Sequence, residues 1–124
     1  MANILIIDDE PDICEILQTF LEENGYTVQI ATSSESVLED VKQAPPDLIL
    51  LDVVMPGKSG FDLLPHLKTI APNTFIVVIT GVNDYRIADL FYESGINGFL
   101  TKPIRLDNLR LTINRLLAPP VTPA

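Results

Sequence analysis

Tryptophan is absent, cysteine and histidine occur once each, and eight basic residues face seventeen acidic ones. Each shortage closes a class of function. A single Cys14 cannot form an internal disulfide and suits a reducing compartment. A net charge of −9 leaves little to neutralise phosphates, so direct binding of nucleic acid is not expected. No apolar run approaches ~18 residues, and Met1-Ala2-Asn3 leads straight into Ile4-Leu5-Ile6-Ile7. Neither a signal peptide nor a membrane span is expected, and the cytoplasm is the expected compartment. The lone His66 falls on a helical segment, reads as solvated and is given no role.

What is present is ordinary globular material, with 47% hydrophobic and 20% charged residues in 124. That length fits one domain able to bury about two-thirds of its unfolded surface without staples. The charges are uneven. Asp8, Asp9, Glu10, Asp12 and Glu15 crowd the N-terminal end, while Lys102, Arg105, Arg110 and Arg115 lie toward the other. Such a dipolar arrangement serves cation binding or partner steering, or is simply a solvated surface.

Taken in order, Ile4 to Ile7 predicts a buried strand ending in Asp8-Asp9. Pro11 then fits the first turn of a helix whose apolar residues are Ile13, Ile16, Leu17, Phe20 and Leu21, stopped by Gly25 after Asn24. Cys14 sits beside that stripe and reads as a packing residue rather than a nucleophile. Tyr26 to Ala31 alternates as a strand. Thr32-x-x-Glu35 resembles a capping box opening a short helix with Val37, Leu38 and Val41 inward, ended by Ala44-Pro45-Pro46. Leu48 to Leu51 is a strand buried on both faces, leading directly into Asp52. After Gly60, Phe61, Leu64 and Leu67 keep helical spacing, and Pro65 is expected to kink that helix or shift its start. Phe75 to Ile79 is a further buried strand ending in Thr80-Gly81. Asn83 or Asp84 should cap a helix carrying Ile87, Leu90 and Phe91, stopped at Gly95. Gly98-Phe99-Leu100 is a short strand before Thr101-Lys102-Pro103. Leu106, Leu109, Ile113, Leu116 and Leu117 mark the last helix, and residues 118–124, with three prolines, read as a linker stub or tail.

Five strands alternating with five helices predict an α/β fold, a doubly wound sandwich around a parallel sheet. The informative feature is what ends each apolar strand: Asp8-Asp9 the first, Asp52 the third, Thr80 the fourth, and Lys102 just after the fifth. In a parallel sheet these ends share one rim, the place where open α/β sheets bind ligands. Taken singly, each has a plain structural role: a helix cap for Asp8 or Asp9, a turn cap for Asp52, a solvated loop position for Lys102, a β-branched strand end for Thr80. Taken together, three carboxylates, a hydroxyl and an ammonium make a site. Clustered carboxylates repel one another unless a cation is present, and hard oxygen ligands suit Mg²⁺. An Asp carboxylate also accepts a phosphoryl group as an acyl phosphate, a transfer that needs positive charge on the equatorial oxygens. Mg²⁺ and Lys102 can supply that charge, and Thr80 a hydroxyl donor.

Asp8-Asp9, then Asp52-x-x-Met55-Pro56-Gly57-x-x-Gly60, Thr80-Gly81 and Gly98-Phe99-x-x-Lys102-Pro103 resemble, in order, the receiver domain of two-component response regulators. The resemblance covers residues 3 to 117 and implies a receiver over 1–117, with a flavodoxin-like strand order of 2-1-3-4-5. It further implies that Asp52 is phosphorylated by the phosphohistidine of a sensor histidine kinase or phosphotransfer protein. Asp9, Asp52 and the Val54 backbone carbonyl would hold Mg²⁺ directly, with Asp8 acting mainly through water. Lys102 would pair with the phosphoryl group, Thr80 would swing toward it, and Phe99 would rotate inward as the second switch residue. The face altered would be the fourth helix, fifth strand and fifth helix, with Arg86, Ile87, Phe99, Arg105 and Arg110 as candidate contacts to an output domain, a downstream protein or a phosphorylation-dependent second copy. In this family the side chain two residues past the acceptor, here Val54, influences how long the phosphoryl group survives. Val82, two past Thr80, bears on the same lifetime, Ile104 stands where Phe is common, and Pro65 is unusual in the third helix.

Three other readings compete. A phosphatase with an Asp nucleophile usually wants a second acid two residues on, where this chain has Val54. A flavin or nucleotide binder wants a Gly- or Thr-rich loop after the first strand, where this chain has acidic Asp8-Asp9-Glu10-Pro11-Asp12. A receiver-like interaction module independent of phosphate would not need the full set of acids with Thr80 and Lys102.

Overall fold

The computed structural model describes residues 2–32, 36–53, 60–81 and 85–117, without the side chains of 60–61 and 85–88. Outside the described residues lie the Glu35 end of the capping box, the Val54 carbonyl and the Met55-Pro56-Gly57 loop. So do Val82, the Asn83 and Asp84 caps, the side chains of Phe61, Arg86 and Ile87, and the tail at 118–124.

The apolar runs all become strands: β1 (Asn3–Ile7), β2 (Thr27–Ala31), β3 (Leu48–Asp52), β4 (Phe75–Thr80) and β5 (Gly98–Thr101). They pair in parallel in the order β2-β1-β3-β4-β5. Every residue of β3 is buried, as a central strand covered on both faces requires. The helices are α1 (Pro11–Glu23), α2 (Val37–Gln43), α3 (Gly60–Ile70), α4 (Tyr85–Glu93) and α5 (Leu106–Leu116).

Because successive strand side chains point to opposite faces, the sheet divides the core in two. Leu5, Ile7, Ile49, Leu51, Ile76 and Val78 pack under α2, α3 and α4 with Val41, Leu64 and Phe91. Ile4, Ile6, Leu48, Leu50, Val77 and Ile79 pack under α1 and α5 with Cys14, Leu17, Leu109 and Ile113. Gly25 closes α1 as its sequence position suggests. Its φ of 91° is the left-handed value that Gly adopts without strain, and the Tyr26 N–H returns to the Leu21 carbonyl at 3.1 Å.

The helical pattern is refined at three apolar positions and at Pro65. In α1 the buried positions are Cys14, Leu17 and Leu21, whereas Ile16 is 57% exposed. Ile16 sits one residue, or about 100°, from the centre of that stripe and falls off its edge. In α4, Phe91 is buried but Leu90 is 53% exposed for the same reason. Leu106, at the start of α5, also lies on the surface. Finally, α3 starts at Gly60 and runs on through Pro65, so proline does not reset its beginning.

Pro65 and its neighbour allow a paired test. Leu64 is fully buried, and Leu64→Ala is expected to cost about 2–5 kcal/mol in urea unfolding. Pro65 is exposed and cannot donate to the carbonyl four residues back, so Pro65→Ala is expected to stabilise by about 1–3 kcal/mol. A loss of stability in Pro65→Ala would show that α3 is shaped around the proline.

Candidate functional site

Strand register builds the site. Ile7 is level with Leu51, so the residues that follow them, Asp8 and Asp52, emerge side by side. Asp52 is level with Ile79 and Thr80 with Thr101, which sets the hydroxyl and then Lys102 on the same rim. Backbone hydrogen bonds extend this pairing just beyond the strands. The Asp8 N–H donates to the Ala31 carbonyl at 3.1 Å, Val53 to Ile79 at 3.2 Å and Lys102 to Thr80 at 2.8 Å. Asp8, Asp52 and Thr80 are all but sealed from solvent.

The Lys102 ammonium reaches three carboxylates. It donates to Glu10 Oε1 at 2.6 Å and to Asp52 Oδ2 at 3.1 Å, and it faces Asp8 Oδ2 at 3.6 Å. Burial alone would lower the lysine pKa. The hydrogen bonds to Glu10 and Asp52 and the charges of Asp52 and Asp8 outweigh burial and raise it, so Lys102 stays charged. Asp8 Oδ1 accepts the Glu10 N–H at 2.9 Å, but its buried Oδ2 has no hydrogen-bond partner. Burial, helped by the Asp52 charge, pushes the Asp8 carboxyl up to about 6.

Carboxylate oxygens of Asp8, Asp9, Glu10 and Asp52 all lie within 4.8 Å of one another. An orphaned, buried carboxylate oxygen inside a cluster of hard oxygen donors fits Mg²⁺. Of the residues expected at the site, the fold therefore unites Asp8, Asp9, Asp52 and Lys102, with Thr80 on the same rim. Phe99 stands apart, half-buried against Phe91 on α4, with ring centroids 6.1 Å apart. Glu10 was expected only as part of an acidic loop. Its reach to Lys102, 92 positions away, has no signature in local sequence.

The model of the family described as response regulator receiver domain matches residues 4–114. This chain belongs to that family. The DNA-binding transcriptional regulator NtrC of Bradyrhizobium sp. (strain RP501 Parasponia) is 35% identical over 119 residues, 96% of this chain and 25% of NtrC. The chain thus spans about a quarter of the length of such relatives. A crystal structure of a response regulator receiver domain protein from Clostridium thermocellum matches with a TM-score of 0.85 at 33% identity, covering 94% of each chain. A response regulator from Burkholderia pseudomallei, solved with a phosphorylated aspartic acid, calcium ion and citrate, matches with a TM-score of 0.83 at 25% identity, covering 95% of this chain and 68% of that one. The receiver fold and the expected strand order are both present, and the phosphatase and phosphate-independent alternatives are not favoured.

Cys14 packs beneath the acids, its thiol donating to the Asp8 carbonyl at 3.4 Å, and burial with the Asp8 charge pushes its pKa up to about 11. A thiol held in that protonated form is a packing group rather than a nucleophile. Among the described residues no helix is long and apolar enough to cross a membrane.

The raised Asp8 pKa fixes a pH dependence. An unfolded Asp titrates near about 3.9. Between there and about 6 the folded chain keeps a proton that the unfolded chain has released, so stability falls as pH rises through that window. The cost is complete above it. In metal-free buffer at pH 7.5, Asp8→Asn is expected to gain about 1–3 kcal/mol in urea unfolding, an advantage that fades toward pH 4. A variant less stable than the parent at pH 7.5 would mean that the ion pair with Lys102 outweighs burial.

Proposed function

We propose that this receiver domain, over residues 1–117, is a phosphoacceptor switch in which Asp52 takes a phosphoryl group from a phosphohistidine of a histidine kinase or phosphotransfer protein. The observation that carries the reading is the buried Asp52 carboxylate 3.1 Å from the Lys102 ammonium, inside a cluster of acids on the sheet rim. A carboxylate so placed is ready to attack. One Asp52 oxygen forms the O–P bond as the P–N bond breaks, and the donor imidazole leaves with that bond's electron pair.

Each neighbour has a task that follows from its position. Lys102 balances negative charge on the phosphoryl oxygens. Asp8, Asp9 and Asp52, with the Val54 carbonyl as the resemblance implies, are the residues to hold Mg²⁺. When bound, Mg²⁺ supplies the remaining positive charge and relieves the Asp8–Asp52 repulsion. Thr80, buried at the rim, offers its hydroxyl to the new dianion. Phe99, half-buried beside Phe91, is the side chain with room to turn. Together they would alter the face formed by α4, β5 and α5, where Arg105 and Arg110 are exposed for an output domain, a downstream protein or a second copy. The chain is a phosphoacceptor switch rather than an enzyme, assisting only its own phosphotransfer and dephosphorylation. Residues 118–124 read as linker or tail.

Acetyl phosphate with Mg²⁺ is expected to add one phosphoryl group to the intact chain, as read by mass spectrometry. Asp52→Asn should abolish the addition, and EDTA should prevent it. If the Asn variant is labelled like the parent, Asp52 is not the acceptor. Mg²⁺ alone should raise the parent's Tm by mass action and leave Asp52→Asn much less affected. Equal shifts would place the cation elsewhere.

A further inference from the structure

Glu10 occupies the cap position at the start of α1, yet its side chain makes no capping hydrogen bond. It crosses instead from the loop after β1 to the loop after β5 and takes the shortest of the three contacts to Lys102, 2.6 Å against 3.1 Å to Asp52 and 3.6 Å to Asp8. The two rivals differ in surroundings. Asp52 is 2% exposed and Glu10 53%, so the ammonium is drawn outward to the mouth of the pocket as well as inward to its floor.

We propose that Glu10 is a positioning residue that competes with Asp52 for Lys102 and thereby holds the domain toward its unphosphorylated state. The proposal rests on the reading of Asp52 as acceptor. A phosphoryl group on the buried Asp52 has to extend toward solvent, where Lys102 and Glu10 already form a pair. The dianion needs the ammonium that Glu10 holds and is repelled by the Glu10 carboxylate. A half-exposed ion pair is weak, so Glu10 yields to a phosphoryl group, but it lowers the net gain on binding. Removing the Glu10 charge therefore favours the phosphorylated arrangement, through Lys102. A contribution of Glu10 to holding Mg²⁺ would act in the opposite direction.

The test is a double-mutant cycle with beryllofluoride, a phosphoryl mimic, at saturating Mg²⁺, with affinity read from NMR titrations. Four proteins are compared: the parent, Glu10→Gln, Lys102→Met and the double variant. Asp12→Asn serves as a control that removes an equal charge from the exposed first turn of α1. Glu10→Gln is expected to bind about two- to fivefold more tightly, the scale of one exposed ion pair, and more tightly than Asp12→Asn. In the Lys102→Met background the gain should shrink to the level of Asp12→Asn, the part owed to removal of a negative charge alone. An unchanged or weakened Glu10→Gln overturns the proposal, as does an equal gain in Asp12→Asn or in the Lys102→Met background. A parent that binds no beryllofluoride overturns the acceptor reading itself, whereas normal parental binding with no effect of Glu10→Gln removes the competition alone. Because Glu10 caps nothing and is half exposed, the urea midpoint of Glu10→Gln should stay at the parental value. A large drop would assign Glu10 a structural role instead.

Discussion

Asp8 and Asp52 stand side by side at adjacent strand ends, both almost wholly out of water, with the single ammonium of Lys102 reaching into the space between them. Most of this molecule's chemistry follows from that crowding. Two buried carboxylates cost stability when both are ionised, and one lysine shared with Glu10 does not cancel the cost, as the raised Asp8 pKa and its orphaned oxygen record. The strain is electrostatic rather than steric. A proton at low pH would relieve it, as would the hard divalent cation proposed for this site at neutral pH. A site of this kind trades stability for readiness, and that trade is common where function needs an unsatisfied group.

The arrangement could hardly be placed elsewhere in this fold. Both faces of the central strands are covered by helices, and every position of β3 is buried, so a polar side chain within the strands would have no partner. Polar groups are admitted only where the strands end. Parallel pairing then brings the ends of β1, β3, β4 and β5 to one rim in fixed register, and the extra backbone bonds at Asp8, Val53 and Lys102 lock the first residues beyond it. Asp8, Asp52 and Thr80 are placed by the sheet, not by the loops.

This explains why much of the site was legible in the sequence. A run such as Leu48 to Leu51 ending in Asp52 announces both a buried strand and a carboxylate at its rim, and four such endings imply convergence without any knowledge of loops. The same logic failed where geometry is finer than a period. Spacing marks the axis of an apolar stripe but not its width, so it groups Ile16 with Leu17 and Leu90 with Phe91 although Ile16 and Leu90 are exposed. Pro65 was expected to kink α3 or shift its start; the helix begins at Gly60 and, with Leu63, Leu64 and Leu67 buried along one side, runs on through the proline. The Glu10–Lys102 contact depends on how two loops 92 residues apart approach each other, and no local pattern encodes that.

The backbone also constrains how a signal could leave the site. Lys102 and Thr80 are joined by a 2.8 Å bond between the Lys102 N–H and the Thr80 carbonyl, and Thr80 is in register with Thr101. The two groups proposed to meet a phosphoryl dianion thus hang from one rigid ladder, and neither strand end can shift without breaking pairing. In the proposed switch, motion is left to side chains: the Lys102 stem between its three carboxylates, the Thr80 hydroxyl, and Phe99 on β5, half-buried and in ring contact with Phe91. The proposed switch, made of rotamers on a fixed sheet, would report a change in charge at the rim to the α4–β5–α5 face while the core stays packed. That division requires the charge balance around Lys102 to be close. With Asp52 holding the ammonium from the floor of the pocket and Glu10 from its mouth, a phosphoryl group on Asp52 would have to draw Lys102 from Glu10, and the Glu10 carboxylate opposes that gain.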